Sequence, residues 1–250
     1  MDEVAECKAA NQGRPGRYLP LPRVKIGEIS NRLRLSLYLA PVQTVFPPFD
    51  AAYWQARYAT PGRASWDAGR PTPPLRAYFD QLPVAQQPRI LIPGAGRAYE
   101  AEYLHRLGFR NVVVADLAPE PLAALAARVP DFPKENLWLA DFFALPPTKT
   151  FDLLIEQTFF CALDPSLRPA YARQCAALLR PGGKLVGLLF DTEFPNAAEP
   201  PFGGSREEYR AYFAPYFEFV HFETAYNSLT ARAGRELFIC LRKPVTNLLT

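Results

Sequence analysis

Residues 89–190 alternate between short apolar segments and segments with helical periodicity. The apolar segments are rich in valine, isoleucine and leucine, which is typical of buried strands. Strands that are separated by helices form βαβ units, and these predict a parallel sheet with right-handed crossovers. The predicted strands are RILIP (89–93), NVVVADL (111–117), NLWLADF (136–142), FDLLIEQ (151–157) and KLVGLLF (184–190).

The C-terminal part of the chain has a different pattern. Two further strand segments, 217–226 and 235–243, follow each other with only a turn region between them. Strands connected in this way pair as an antiparallel hairpin. We therefore predict an α/β fold with a seven-stranded, mostly parallel sheet that ends in an antiparallel hairpin and carries helices on both faces.

Residues 1–48 differ in composition from the remainder of the chain. Residues 1–24 are rich in glycine, proline and charge, which predicts a flexible leader. From Ile26 onward, apolar residues at helical spacing predict one short helix that packs on the body or on a partner. A membrane-surface or targeting role is the alternative, and the acidic residues near the start weigh against it. We expect an N-terminal extension over 1–48 and one domain over 49–250.

Charge and cysteine content restrict the classes of partner. The chain carries a net charge of +3, but residues 1–48 hold seven basic and four acidic residues, so the other 202 residues are neutral in sum. A nucleic-acid-binding face would concentrate basic residues on the folded body. No segment reaches the roughly 18 apolar residues of a membrane span. The four scattered cysteines and two histidines predict no metal site and fit a reducing cytoplasm. We expect a cytoplasmic protein with a small-molecule partner and no nucleic acid.

A glycine turn follows the first predicted strand, in the sequence LIPGAGRAYE. Ligands of open parallel sheets bind at the carboxyl ends of the strands, where Gly94 and Gly96 lie. Asp116 ends the second strand, 20 residues after Gly96. An acidic residue at this distance typically accepts hydrogen bonds from the ribose of a bound adenosine. The turn alone also fits a structural role, and the pair fits NAD or S-adenosylmethionine.

Position 99 discriminates between the two ligands. The dinucleotide fingerprint requires a third glycine there, and this chain has Tyr99. Glu100 and Glu102 near the helix start would also disfavour a pyrophosphate. S-adenosylmethionine carries no phosphate, and Asp141 with Phe142 can recognise its adenine through an amine contact and ring packing. The residues favour S-adenosylmethionine, with an NAD-dependent oxidoreductase as the alternative.

Longer motifs resemble a known family over residues 53–243. They include YWQARYATPGRASWDAGRPTPPL, ILIPGAGRAYEAEYL and FDLLIEQTFFCALDPSLRPAYARQCAALLRPGGKLVGLLF. The chain resembles the thiopurine S-methyltransferase family of class I S-adenosylmethionine-dependent methyltransferases, and most of all its thiol or halide methyltransferase branch. The resemblance implies a Rossmann-like class I methyltransferase sheet and S-adenosylmethionine as the cofactor.

The cofactor site expected from the glycine turn and the resemblance consists of Trp54, Tyr58, Trp66, Gly94, Gly96, Asp116, Asp141, Phe142 and Gln157. The chain also departs from the family pattern. Tyr58 replaces a usual tryptophan and Ala95 a common cysteine. Glu156 and Gln157 replace aspartate and tyrosine, which leaves the acceptor open.

Methyl transfer from a sulfonium is an in-line displacement, so positioning supplies much of the acceleration. Soft anions and partly ionised thiols need no histidine base. We therefore expect transfer to a small soft nucleophile: a thiol, bisulfide, thiocyanate, a halide or a thiopurine. Alternatives are an oxygen or nitrogen acceptor and a non-catalytic scaffold, and a monomer is expected. The candidate acceptor-pocket residues are Gln157, Phe160, Arg168 and Asp191.

Overall fold

The computed structural model describes residues 49–60, 66–195 and 198–245. The helix predicted after Ile26 lies outside these ranges. The division into an extension and one domain therefore stays a prediction.

One seven-stranded sheet forms the centre of the molecule, in the order β3-β2-β1-β4-β5-β7-β6. The first five strands pair in parallel, and β7 pairs antiparallel with both β5 and β6. This confirms the predicted sheet with its antiparallel C-terminal hairpin. The strands are β1 (Ile90–Pro93), β2 (Val112–Asp116), β3 (Leu137–Leu139), β4 (Phe151–Gln157), β5 (Leu179–Phe190), β6 (Glu218–Thr224) and β7 (Glu236–Arg242).

Six α-helices connect or precede these strands within the described residues: α1 (Ala51–Ala59), α2 (Pro73–Phe79), α3 (Tyr99–Arg106), α4 (Pro119–Arg128), α5 (Arg168–Leu178) and α6 (Arg206–Phe213). Side-chain caps mark two of the starts. Asp50 accepts a 2.9 Å hydrogen bond from the N–H of Tyr53, and Ser205 accepts one of 3.3 Å from the N–H of Glu208.

The sheet separates two hydrophobic cores because successive strand residues point to opposite faces. Ile90 and Ile92 of β1 pack into one core together with α2, α3 and α4. Leu91 packs into the other core together with α5 and α6. Helices thus cover both faces, as the alternating pattern predicts.

The junction between α5 and β5 differs from the prediction. The sequence predicts a strand that begins at Lys184, whereas α5 ends at Leu178 and β5 begins at Leu179, so that Gly182 and Gly183 belong to the strand. The glycine segment pairs with the end of β7 instead, since the N–H of Gly182 donates to the carbonyl of Lys243 at 2.9 Å. Lys243 also closes the helix: its Nζ donates to the carbonyls of Ala176 and Leu179, each at 2.7 Å.

The part of the chain that the structure describes contains no helix with both the length and the apolar character needed to cross a bilayer. Within the same ranges, no three histidine, cysteine, aspartate or glutamate side chains gather as metal ligands would.

Candidate active site

A cavity of about 490 Å³ opens at the carboxyl ends of the parallel strands. The strand order reverses between β1 and β4, so this is the topological switch point of the sheet. Loops that follow strands β1 to β5 border the cavity, and residues of α1 complete its lining. It lies where the sequence places the ligand.

The glycine turn brings the main chain close to the cavity. Gly94 and Gly96 both line it with φ of +54° and +55°, a region that suits glycine. A Cβ atom on Gly94 would lie 2.1 Å from the ring of Phe159, so that ring rests directly on the glycine. Tyr99 begins α3 outside the cavity, with the guanidinium of Arg128 5.1 Å from its ring centroid. The turn therefore presents backbone, and no bulky side chain, to a ligand.

Asp116 lies at the end of β2 and faces the cavity, with 7% of its surface exposed. The N–H of Ala118 donates to its carboxylate at 2.9 Å. Burial raises the pKa of this carboxyl to about 6, against the opposing effect of nearby main-chain N–H groups. A buried carboxylate with acceptor capacity left over can bind a cis-diol.

The loop after β3 forms one end of the cavity. Asp141 accepts a 2.9 Å hydrogen bond from the N–H of Phe143. The Phe142 ring is buried against Phe159 and Tyr171, with centroids 5.5 and 5.4 Å away. This end therefore offers a carboxylate beside an aromatic face, which suits a purine with an exocyclic amine.

Three further lining residues, Trp54, Tyr58 and Trp66, form an aromatic cap. The indole N–H of Trp54 donates to the carbonyl of Phe49 at 3.1 Å. Trp66 meets Trp54 and Tyr58 edge to face, at centroid distances of 6.1 and 6.2 Å. Arg232, from the turn before β7, donates a 2.9 Å hydrogen bond to the carbonyl of Trp66. The cap is thus anchored to the body of the domain.

The turn after β4 also borders the cavity, through Thr158 and Phe159. Glu156 is fully buried, and its Oε1 accepts from the N–H groups of Phe159 and Phe160 at 2.8 and 2.9 Å. Its Oε2 accepts a 2.6 Å hydrogen bond from the hydroxyl of Tyr171. Burial raises the pKa of Glu156 to about 7. One carboxyl group therefore determines the course of this turn, including Thr158 with its φ of +60°.

Eight of the nine predicted cofactor residues line the cavity together: Trp54, Tyr58, Trp66, Gly94, Gly96, Asp116, Asp141 and Phe142. Gln157 is not among the lining residues. Its Oε1 lies 3.3 Å from the hydroxyl of Thr72, a buried residue at the start of α2, so the side chain links β4 to that helix.

The other three predicted acceptor residues also lie outside the cavity lining. Phe160 is 1% exposed and packs in the core, 5.1 Å from the ring of Tyr209. Arg168 is 1% exposed and donates to the carbonyls of Phe202 and Gly203 at 3.2 and 2.9 Å. It thereby anchors the loop after β5.

Asp191 lies beside a separate, smaller depression. It accepts a 2.9 Å hydrogen bond from the N–H of Arg206 at the start of α6, and its carboxylate lies 3.4 Å from the Arg206 guanidinium. The position directly after β5 in sequence does not bring it to the cavity because its side chain is engaged by that helix.

Sequence reasoning missed several lining residues, of which Arg57 and Phe159 are the most informative. Arg57 follows Trp54 by three positions on α1, so the helical spacing already indicated a shared face. Phe159 lies two positions beyond the end of β4. Other lining residues that the sequence reasoning missed include Phe49, Asp50, Ala51, Cys161, Leu163, Asp164, Ser166, Leu167, Pro200 and Pro201.

Comparison with known proteins identifies the family. The family model described as thiopurine S-methyltransferase matches residues 49–243. The chain belongs to the thiopurine S-methyltransferase family. Probable thiol methyltransferase 2 of Arabidopsis thaliana is 31% identical over 165 residues, which cover 65% of this chain and 70% of the relative. Thiocyanate methyltransferase 1 of Brassica oleracea is 30% identical over 181 residues, which cover 70% and 78%.

A bacterial thiopurine S-methyltransferase agrees with this placement, and solved structures agree with the fold. The thiopurine S-methyltransferase of Legionella pneumophila is 27% identical over 163 residues, 59% of this chain and 73% of the relative. A glycopeptide N-methyltransferase solved with S-adenosylhomocysteine superposes with a TM-score of 0.56 at 16% identity, over 79% of this chain and all of its own. An S-adenosylmethionine-dependent methyltransferase from Mesorhizobium loti superposes with a TM-score of 0.55 at 19% identity, over 68% and 96%.

As a member of the thiopurine S-methyltransferase family, this protein is an S-adenosylmethionine-dependent methyltransferase. S-adenosylmethionine is its cofactor. The NAD-dependent alternative gains no support from these comparisons.

Proposed function

We propose that this enzyme transfers a methyl group to a small soft nucleophile: a thiol, bisulfide, thiocyanate, a halide or a thiopurine. One observation carries the proposal. The cavity that contains the glycine turn and Asp116 is also lined by many aromatic, proline and leucine side chains. The only histidines of the chain, His105 and His221, lie on α3 and β6 and do not line it. A nucleophile that needs no proton removed suits such a site.

The cofactor proposal assigns a task to each part of the cavity. Asp116 accepts hydrogen bonds from the ribose hydroxyls, and Asp141 with Phe142 recognises the adenine. S-adenosylmethionine supplies an activated methyl group on a sulfonium. Trp54 and Trp66 present ring edges and faces that stabilise this cation and exclude water.

The acceptor end favours displacement without acid–base catalysis. A soft anion is already nucleophilic, so the protein has to hold it in line with the methyl group in a site with little water. Cys161 lines the cavity, but burial raises the pKa of its thiol to about 12. A thiol with that pKa is not a nucleophile near neutral pH. The Phe159 ring above Gly94 and the apolar Leu163 exclude water from this end.

Radiolabelled methyl transfer tests the function directly. The purified enzyme is incubated with tritiated S-adenosylmethionine and, separately, with bisulfide, thiocyanate, iodide or a thiopurine, and also with a catechol and a primary amine. We expect turnover with at least one soft nucleophile and none with the catechol or the amine. Turnover confined to the oxygen or nitrogen acceptor would overturn the proposal, and absence of all turnover would favour a scaffold. The Asp116→Ala variant, purified in parallel, controls for contaminating activity.

Two further expectations belong to this proposal. A monomer is one of them and is checked by light scattering after size exclusion. A cytoplasmic location is also part of the proposal and rests on the scattered cysteine pattern of the sequence. Fractionation of the source cells tests that location.

A further inference from the structure

We propose that Arg57 recognises the negative charge of the methyl acceptor, so that the site selects anionic soft nucleophiles over uncharged ones. This inference rests on the proposed function and narrows it to a substrate class. The residue lies on α1 between Trp54 and Tyr58 and lines the cavity with them. Its guanidinium lies 5.3 Å from the ring centroid of Tyr53 and 5.7 Å from that of Trp66.

The charges around the cavity single out this arginine. Among the described residues that line it, Arg57 is the only basic one, and Asp50, Asp116, Asp141 and Asp164 are acidic. An entering anion would be repelled by these carboxylates unless a cation offset them.

Three of the four carboxylates are already engaged in local structure. Asp50, Asp141 and Asp164 each accept a hydrogen bond from a main-chain N–H within three residues, at 2.9, 2.9 and 2.8 Å. Asp116 is assigned to the ribose. These carboxylates have structural or cofactor partners, whereas the guanidinium of Arg57 can still donate hydrogen bonds to a ligand.

The hydrogen bonding of Arg57 leaves donors available. Its Nε is buried and has no hydrogen-bond partner in the described part of the chain, and the buried hydroxyl of the adjacent Tyr53 likewise has none there. A buried donor without a partner is destabilising, so we expect a ligand to complete this site. The one ion pair of Arg57 in these ranges is with Glu199, at 3.5 Å and partly exposed. A pair of this kind contributes little.

The position of Glu199 indicates which ligand completes the site. It directly precedes Pro200 and Pro201, which line the cavity. Arg57 therefore lies beside the loop after β5 that borders the cavity, and we assign this part of the cavity to the acceptor. In the reaction, the anion forms a bond to the methyl carbon while the carbon–sulfur bond of the cofactor breaks. The electron pair of that bond goes to the sulfur, so a thiocyanate or iodide anion yields a neutral methylated product and no proton moves.

Anion binding to the enzyme–S-adenosylhomocysteine complex tests the proposal even without turnover. Thiocyanate is titrated calorimetrically into this complex of the wild type and of Arg57→Gln, Arg57→Lys and Glu199→Gln. We expect Arg57→Gln to weaken thiocyanate binding about tenfold or more, the scale of a lost charge-assisted hydrogen bond. The Arg57→Lys variant should retain part of the affinity, and Glu199→Gln should strengthen binding because it removes the competing carboxylate.

Arg97→Gln is the matched control. Its guanidinium also lies against the aromatic cap, 5.7 Å from the Tyr58 ring centroid, but Arg97 does not line the cavity. This variant should leave thiocyanate binding unchanged.

Arg57 could instead bind the carboxylate of the cofactor, and the affinity for S-adenosylhomocysteine alone distinguishes this role from acceptor binding. If Arg57→Gln weakens this affinity and leaves thiocyanate binding intact, Arg57 binds the carboxylate of the cofactor and the proposal is overturned. Equal KM changes for thiocyanate and for dimethyl sulfide, an uncharged sulfur nucleophile, would also overturn it. Absence of methyl transfer with intact, Arg57-dependent thiocyanate binding would instead contradict the proposed function and leave the anion site standing.

Discussion

Arg232 donates a 2.9 Å hydrogen bond to the main-chain carbonyl of Trp66, which lies 166 residues earlier in the sequence. The same guanidinium lies 3.3 Å from the buried carboxylate of Glu236 at the start of β7. The aromatic cap over the cavity is therefore anchored to the C-terminal hairpin. No pattern in the sequence predicts this contact.

Replacing Arg232 tests this anchor. We expect Arg232→Met to raise the KM for S-adenosylmethionine because Trp66 loses its attachment. The free energy of unfolding should fall by about 3 kcal/mol, because the buried carboxylate of Glu236 loses its positively charged partner. Denaturant titration and steady-state kinetics measure the two effects. Arg235→Met, three residues away and exposed, should change stability by less than about 0.5 kcal/mol. Equal losses in both variants would contradict the anchor.

Gly94 combines a positive φ with the close approach of Phe159. An alanine there must adopt an unfavourable backbone conformation and also displace the ring, so Gly94→Ala should weaken cofactor binding strongly. Gly234→Ala is the control. Gly234 also has a positive φ, but a Cβ atom added there would have open space around it. It should cost only the backbone term of about 1 kcal/mol in stability. Similar cofactor affinities in the two variants would show that the contact with Phe159 is unimportant.

Asp116 should make cofactor binding depend on pH. Burial raises the pKa of its carboxyl to about 6, and only the ionised form accepts two hydrogen bonds from a cis-diol. The affinity for S-adenosylhomocysteine should therefore fall as the pH is lowered through 6 and stay constant above 7. Asp116→Ala should weaken binding by at least ~1 kcal/mol at pH 7.5 and remove this pH dependence. Calorimetry at several pH values decides; unchanged affinity in the variant would place the ribose elsewhere.

Glu156 should lower the stability of the enzyme as the pH rises. Burial raises the pKa of its carboxyl from 4.5 to about 7. Between pH 4.5 and 7, the folded state therefore keeps a proton that the unfolded state has lost. Unfolding free energy therefore decreases with rising pH across this window. Glu156→Gln keeps an oxygen acceptor for the N–H groups of Phe159 and Phe160 and carries no charge.

We expect the glutamine variant to match the wild type at pH 5 and to be the more stable protein at pH 7.5. Denaturant titrations over this range measure the slope. Glu207→Gln, at an exposed position of α6, is the control and should retain the wild-type slope. A Glu156→Gln variant with that same slope would show that Glu156 stays ionised in the folded state. Glu100 and Asp116, whose pKa values burial raises to about 7 and about 6, contribute to the part of the slope that remains.

Much of the fold was predictable because it depends on local patterns. Strand β4 begins and ends where the apolar segment 151–157 predicts. The boundary between α5 and β5 was not predictable, because a proline and two glycines usually end a helix. Here they pair with the end of β7, and the ammonium of Lys243 closes the helix from a distant strand.

For the site, the sequence was enough to predict the sheet, the crevice at its carboxyl edge, the glycine turn and Asp116 as the acidic residue that accompanies it. Each of these follows from periodicity, from backbone conformation or from a fixed spacing along the chain. The sequence did not distinguish Phe159, which lines the cavity, from its neighbour Phe160, which is buried in the core. The hydrogen bonds of Glu156 shape this turn, and Arg57 and Trp66 have partners in loops more than 100 residues away, so these contacts exist only in the folded chain.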